Sequence, residues 1–198
     1  MTARATKRVP VAAGAAAAFG SIAAVALILG LSGRPAQTVA LPAAAPAPAG
    51  WHRASLPNGT AVLSYPPTLS RIASDADAVS VGRLSPAGSY LLYLNATPRQ
   101  GTENLPHWAS FRLSLLRSDE ASSVHQDGAA TGVRFRGGTG SCVNDDYVTK
   151  IGTHHYEEIA CLVFGKRGGS VVVAAAPAAQ WPRVRLPLER AVAAYQVR

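Results

Sequence analysis

The chain is poor in the residues and motifs that mark common enzyme classes. Among its 198 residues there are two cysteines and one methionine, and only 15% are charged. It has no GxSxG or GxGxxG motif, and the glycines at 165–169 lack the spacing of a phosphate-binding loop. Lysine and arginine form no cluster with interleaved aromatic residues, so the net charge of +8 does not predict nucleic-acid binding.

Acidic residues are absent from the first fifty positions. Arg4, Lys7 and Arg8 precede an uncharged, mostly apolar run at 10–33. A run of this length matches the roughly 20 residues that cross a bilayer as a helix, and the flanking cations stay on the cytoplasmic side. We therefore predict a cytoplasmic basic tail at 1–9, followed by a transmembrane anchor or signal peptide at 10–33.

The fate of this segment decides between two locations. An uncleaved anchor predicts a single-pass protein of the cytoplasmic membrane, with its N-terminus inside and its C-terminal domain outside. Cleavage near Ala40 would instead give a secreted protein. Residues 34–50 are rich in proline and alanine and predict a linker. Residues 51–198 then form one extracytoplasmic α+β domain, long enough to bury its own core.

Short apolar runs separated by turn residues predict an antiparallel sheet in this domain. The clearest turn is Pro57-Asn58-Gly59, and residues 170–176 are apolar on both faces, which predicts a central strand. Helical spacing of apolar residues predicts one helix at 105–116 and another that begins at Leu186-Pro187. Because strands and helices occur in blocks, the pattern favours an α+β fold with helices packed on an antiparallel sheet.

The two cysteines lie at matching distances from a turn centred on Ile151-Gly152. This register places Cys142 directly opposite Cys161. A four-residue loop at 150–153 would make them a pair without backbone hydrogen bonds, where side chains approach most closely. In an oxidising compartment we therefore predict a disulfide, which contributes about 3 kcal/mol of stability.

The same register opposes carboxylates, since Asp145 faces Glu158 and Asp146 faces Glu157. Like charges directly opposed destabilise a sheet, so the repulsion must be offset. The predicted compensation is pairing with a basic side chain, and the alternative is a metal ion. The basic candidates are Arg134, Arg136 and Lys150, and the candidate metal ligands are Asp145, His154 and Glu158.

A polar connection between a strand and the first helix predicts a recognition surface. Residues 94–103 are dense in turn-forming and polar residues, and loops at strand ends often carry binding residues. The candidate binding residues are Arg99, Gln100, Glu103 and Trp108. The alternative is that these side chains only shape the turn. Arg112, on the same predicted helix, is expected to be solvated.

The order of elements resembles a known family. Trp51, the turn at 56–59 and Ser64-Tyr65-Pro66-Pro67 precede a hairpin, a helix after Gly101-Thr102-Glu103, an antiparallel run and a closing helix after Trp181. This order resembles the PsbP/Mog-like α-β-α sandwich, an architecture also used by secreted and lipoprotein domains of high-GC Gram-positive bacteria. The resemblance implies a binding or accessory module that acts through protein or assembly contacts.

Together these features predict a membrane-tethered, extracytoplasmic binding or accessory module of the bacterial cell envelope, with no cofactor and no catalytic role. Its expected partners are the cytoplasmic membrane and an envelope protein or a cell-wall or lipid component, not nucleic acid. The alternative is a hydrolase or metal-dependent enzyme built on the acidic and histidine hairpin at 144–158. Its candidate residues are Asp145, Asp146, His154, Glu157 and Glu158.

Overall fold

The computed structural model describes residues 43–198. In this part of the chain ten strands and two α-helices follow one another, and a short π-helical turn at Leu116–Glu120 extends the first helix. The strands are β1 (His52–Ser55), β2 (Ala61–Tyr65), β3 (Ser70–Arg71), β4 (Val79–Leu84), β5 (Tyr90–Pro98), β6 (Ala121–Phe135), β7 (Gly138–Thr149), β8 (His155–Gly165), β9 (Gly168–Pro177) and β10 (Gln196–Val197). The helices are α1 (Trp108–Leu115) and α2 (Trp181–Ala193).

The strands form two antiparallel sheets. The smaller one has the order β1-β2-β10, and the larger has the order β3-β4-β5-β9-β8-β7-β6. Strand β9 lies fourth of seven, so the prediction of a central strand at 170–176 is confirmed. Apolar residues of β9 point to both faces of the large sheet, and both faces are covered by other parts of the fold.

Each face of the large sheet packs against a different layer. On one face, Trp108 and Leu113 of α1 pack against Val143, Ala160 and other apolar residues of the sheet. On the opposite face, residues of the small sheet and of α2 pack against residues such as Ile159 in the main core. The candidate site lies on the face that α1 covers.

The predicted fold class was wrong. Strands hold 49% and helices 17% of the described residues, so this is a mostly β fold of two antiparallel sheets. It is not a single sheet sandwiched by helices, because the small sheet shares the second layer with α2. The second sheet forms because β2 pairs with β1 and with the C-terminal β10 instead of joining the large sheet. Residues 121–130, which carry little apolar alternation, add to the strand content by extending β6 to fifteen residues.

Helix α2 also begins earlier than predicted. It starts at Trp181, with Pro182 in its first turn, where a missing N–H leaves no hydrogen bond unmade. The prediction that this helix begins at Leu186-Pro187 was wrong, because Pro187 lies inside it. Trp181, Leu188 and Val192 are buried on its inner face.

No helix within residues 43–198 has the length and the apolar character needed to cross a membrane. The predicted transmembrane helix therefore forms no part of the described fold, and the segment at 10–33 lies outside the described residues. The last residues of the predicted linker are described. The backbone N–H of Ala45 donates to the carbonyl oxygen of Ala193 at 3.0 Å, which joins the linker to α2.

Candidate ligand-binding cleft

A cleft of about 450 Å³ opens between α1 and the face of the large sheet that this helix covers. We call it the tyrosine cleft. Tyrosines from β5, β7 and β8 form its walls, α1 contributes an aromatic and a basic side chain, and β9 forms its floor. These residues are Tyr90, Tyr93, Tyr147 and Tyr156, then Trp108 and Arg112, then Val173 and Ala175.

The strand register explains why a cleft forms here. Tyr93 of β5 pairs with Ala175 of β9, which pairs with Glu158 of β8, which pairs with Asp145 of β7. Because neighbouring strands lie about 4.8 Å apart, the backbones of Tyr93 and Glu158 lie about 10 Å apart, with Ala175 between them. The methyl group of Ala175 is the smallest side chain in this row, so the floor is deepest between an aromatic ring and a carboxylate.

The tyrosines occur as two pairs on opposite sides of the floor. The ring centroids of Tyr90 and Tyr93 are 5.2 Å apart, and those of Tyr147 and Tyr156 are 5.8 Å apart. The ring of His154 lies at the edge of the second pair, with its centroid 6.4 Å from that of Tyr156. Burial raises the pKa of both Tyr93 and Tyr156, so these rings stay neutral at physiological pH.

Arg112 and Glu158 form a bidentate ion pair at the base of the cleft. Its Nε donates to Oε1 of Glu158 at 2.7 Å, and its Nη2 donates to Oε2 at 2.8 Å. Burial lowers the pKa of Arg112, but the charge of Glu158 and the two hydrogen bonds outweigh burial and raise it above its usual value. Both oxygens of Glu158 therefore accept hydrogen bonds from a permanent cation.

The expectation that Arg112 is solvated was wrong. The compensating cation for the carboxylates of the hairpin comes from α1, not from the predicted neighbours. Arg134 and Arg136 are exposed and line a different surface, and the Nζ of Lys150 donates to the carbonyl oxygen of Ser118. The signal that could have found Arg112 is its spacing, since it follows Trp108 by one helical turn and so shares the face that packs on the sheet.

Asp145 lies beside this ion pair and is only 1% exposed. Neither of its carboxylate oxygens has a hydrogen-bond partner among the described residues. Burial and the negative charge of Glu158 raise the pKa of Asp145 to about 9, against the opposing effect of Arg112. Asp145 is therefore protonated and neutral at pH 7, which relieves the repulsion that the strand register imposes.

Three of the four predicted recognition residues line the tyrosine cleft, namely Gln100, Glu103 and Trp108. The backbone N–H of Gln100 donates to Oε2 of Glu103 at 3.0 Å, and the indole of Trp108 donates to the carbonyl oxygen of Ala160 at 2.9 Å. Arg99 does not line the cleft. Its guanidinium donates to the carbonyl oxygen of Gly101 and lies 5.5 Å from the ring centre of Phe164.

The predicted metal ligands occupy different environments. Glu158 is engaged by Arg112, Asp145 is buried beside it, and His154 is exposed at the mouth of the cleft. On the opposite face of the hairpin, ligand atoms of His125, Asp127 and Asp146 lie within 4.8 Å of one another and could hold a metal ion. These side chains are largely exposed, Nδ1 of His125 lies 3.4 Å from Asp127 and 3.5 Å from Asp146, and Nε2 of His155 lies 2.8 Å from the other oxygen of Asp146.

The predicted register of the hairpin is confirmed. Asp145 pairs with Glu158, Asp146 with Glu157, and Cys142 with Cys161. The backbone N–H of Thr149 donates to the carbonyl oxygen of His154, and the alternation from that pair makes 142 and 161 a pair without backbone hydrogen bonds. Their Cα atoms are 4.0 Å apart, and a disulfide joins them on the face opposite the cleft, in the main core.

Sequence reasoning missed the four tyrosines of the cleft. Tyr90 and Tyr93 belong to the predicted hairpin, but their meeting with Tyr147 and Tyr156 depends on β9 inserting between β5 and β8. That insertion is a non-local pairing, which no local pattern specifies. The alternation of Tyr93, Asn95 and Thr97 along β5 was a usable signal, since it puts three polar or aromatic side chains on one face.

No protein-family model matches the chain, and neither does any curated protein. A solved structure with a similar fold is that of the PsbP protein CyanoP from the cyanobacterium Synechocystis sp. PCC 6803. The TM-score is 0.51 at 12% identity, over 75% of this chain and 92% of that one. The protein PA94 of unknown function from Pseudomonas aeruginosa aligns with a TM-score of 0.43 at 8% identity, over 72% of this chain and 94% of that one.

The likeness to CyanoP supports the PsbP-like resemblance of the fold and, at 12% identity, concerns the fold alone. The similarity to PA94 is weaker, with a TM-score of 0.43. The described residues therefore form a mostly β domain with a PsbP-like fold, in which an aromatic cleft lies above a fixed ion pair. The predicted relation to high-GC Gram-positive domains stays a prediction.

Proposed function

We propose that this protein is a non-catalytic binding or accessory module of the bacterial cell envelope, membrane-tethered and extracytoplasmic, which binds its ligand in the tyrosine cleft. The observation that carries the binding role is the cleft itself, which has a volume of about 450 Å³ and the Arg112–Glu158 ion pair fixed at its base. Ligand sites in proteins have volumes of about 300–1,000 Å³ and combine apolar walls with a few fixed polar groups. The cleft meets both criteria.

Fixed polar groups favour binding over catalysis. A general base must take up a proton, whereas the carboxylate of Glu158 is charge-balanced and held in place by its two hydrogen bonds from Arg112. Asp145 does not line the cleft, and its raised pKa keeps it protonated. The carboxyl groups of Glu158 and Asp145, two of the five candidate residues of the enzyme alternative, therefore favour a structural role beneath the cleft over a role as acid and base.

The disulfide supports the extracytoplasmic location. Disulfides persist in oxidising compartments and are rare in the cytosol, where thiols are kept reduced. Cys142 and Cys161 are buried and joined in the core. The apolar segment at 10–33 would deliver and tether the domain. Its partner in the envelope would be a protein or a cell-wall or lipid component.

Thiol labelling in intact cells tests the location. Precipitating intact cells with acid and then denaturing the protein in the presence of a maleimide-linked polymer should leave both cysteines unlabelled, and reduction before the labelling should make both reactive. Externally added protease should also degrade the domain in cells whose outer layers have been opened. Labelling of both thiols without reduction, or full protection from protease, would contradict an extracytoplasmic location.

Ligand-observed NMR with the full-length chain in detergent tests the binding role. A library containing cationic, neutral and anionic small molecules should yield binders that the variant Thr97→Trp loses, because Thr97 lines the cleft. The variant Thr139→Trp is the matched control, since Thr139 is an exposed strand residue that does not line the cleft. A library without binders, or binders that survive Thr97→Trp, would refute a ligand site in this cleft.

A further inference from the structure

We propose that the tyrosine cleft is selective for ligands that carry an alkylammonium group, either a primary amine or a quaternary ammonium. This inference rests on the proposed function, because it names the chemical class of ligand for the same site. It follows from three independent features of the cleft: its aromatic walls, its excess of carboxylates and the engaged state of its only arginine. None of these features depends on the location of the protein.

The aromatic walls provide two ring pairs for a cation. Tyr90 and Tyr93 lie on one side of Ala175, and Tyr147 and Tyr156 lie on the other. The faces of aromatic rings are electronegative and attract ammonium groups within about 6 Å of the ring centre, and cages of several rings recognise quaternary ammonium ligands. The small floor residue Ala175 belongs to the strand between those that carry the two pairs, and its methyl group leaves space for one such group above it.

The charges that line the cleft also favour a cationic ligand. Three carboxylates, Glu103, Glu120 and Glu158, face one arginine, Arg112, which gives a formal charge of −2. The whole chain, by contrast, carries a net charge of +8. A local acidic site within a basic protein attracts cations and repels anions over several ångströms, and the low dielectric of a partly enclosed cleft strengthens both effects.

The state of Arg112 argues against an anionic ligand. An anion in the cleft would have to pair with a cation, but the charge of Arg112 is already balanced by Glu158 through the hydrogen bonds from Nε and Nη2. Displacing Glu158 would leave a buried carboxylate beside Asp145 without its cation, and that costs several kilocalories per mole. Glu120, which is exposed at the rim and lines the cleft, remains available to pair with an incoming ammonium group.

Four probes of similar size test the charge preference. They are choline, its neutral carbon isostere 3,3-dimethylbutan-1-ol, n-butylammonium and butyrate, each titrated into the full-length chain at pH 7 by calorimetry or ligand-observed NMR. We expect the two cations to bind roughly tenfold more tightly than the neutral isostere, as cation–π and carboxylate contacts of about 1–2 kcal/mol imply. Butyrate should not bind. A fifth probe, Nα-acetyl-lysine N-methylamide, keeps the side-chain ammonium group free. Its affinity relative to that of n-butylammonium distinguishes a lysine side chain of a protein partner from a free small amine.

Two matched pairs of variants assign the effect to the cleft. Glu120→Gln should weaken choline binding several-fold, whereas Asp119→Asn, which removes a neighbouring exposed carboxylate outside the cleft, should change it little. Tyr90→Leu should weaken binding and Tyr90→Phe should preserve it, because Tyr90 is 41% exposed and contributes its ring face. Equal effects within either pair would overturn the assignment.

The outcomes separate this inference from the proposed function. Binding of the neutral isostere or of butyrate as tight as that of choline, and lost in Thr97→Trp, would refute cation selectivity while leaving the cleft a binding site. Failure of both cations to bind, when other library members bind the cleft, would also refute cation selectivity and leave the cleft a binding site. Absence of any binding that Thr97→Trp removes would refute both proposals.

Discussion

Arg112 and Glu158 are 46 positions apart in the chain and meet through two hydrogen bonds, of 2.7 and 2.8 Å, between α1 and β8. The side chain of Glu158 is 1% exposed and that of Arg112 is 12% exposed, so the pair is shielded from water. The ion pair therefore joins the helix to the sheet and fixes the base of the tyrosine cleft at the same time.

We predict that Arg112→Met destabilises the domain by about 3 kcal/mol, because it leaves Glu158 buried without its cation. The free energy of unfolding from urea denaturation measures this loss. The matched control is Arg185→Met, which removes the pair between an exposed arginine and the partly buried Glu189 on α2 and should cost less than about 1 kcal/mol. In the double variant Arg112→Met/Glu158→Gln, part of the lost stability should return. Equal losses in the single and double variants would contradict the ion-pair account.

The disulfide gives a second prediction. Reduction should lower the free energy of unfolding by about 3 kcal/mol, because Cys142 and Cys161 enclose a loop with a sequence separation of 19. Urea denaturation with and without dithiothreitol measures this change. The variant Cys142→Ala/Cys161→Ala should be less stable than the wild type and should not respond to the reductant. A wild type equally stable in both conditions would show that the crosslink is not needed for stability.

The hairpin at 142–161 shows what the sequence could predict. Its register followed from symmetry about a turn, and that symmetry is local, so the pairing of the cysteines and of the carboxylates was predicted correctly. The partner of Glu158 could not be predicted in this way, because Arg112 reaches it only after α1 has packed on the sheet. The cleft is also non-local, since Tyr93 and Glu158 are neighbours of Ala175 through two separate strand pairings.

The close approach of strands at one end of the large sheet gives a third prediction. A Cβ atom on Gly138 would overlap the carbonyl oxygen of Phe164 and the side chain of Val197. Gly138→Ala should therefore cost at least about 2 kcal/mol, because backbone of β8 would have to move. The control is Gly132→Ala, where φ is +70° but no atom lies within 4 Å of the new methyl group, and the strain should cost about 1 kcal/mol. Similar thermal stability of the two variants would contradict this packing.

The buried carboxyl group of Asp145 predicts how stability depends on pH. Its pKa is about 9 in the folded protein and about 4 in the unfolded chain, so between these values the folded state binds more protons than the unfolded state. Under that condition the free energy of unfolding falls as pH rises, by up to about 1.4 kcal/mol per pH unit from this group. Below about pH 4 both states are protonated and the effect vanishes.

Asp145→Asn isolates this contribution, since asparagine resembles the protonated acid in shape and does not titrate. Urea denaturation of both proteins from pH 5 to pH 8.5 should show the variant gaining stability relative to the wild type as pH rises, whatever the other groups contribute. Carbon-13 NMR of the Asp145 carboxyl group should show its titration near pH 9. Parallel stability curves, or a carboxyl group already ionised at pH 6, would mean that Asp145 is charged in the folded protein. Arg112 would then have to balance the charges of both Asp145 and Glu158, and the buried cluster beneath the cleft would carry one more negative charge than the structure assigns.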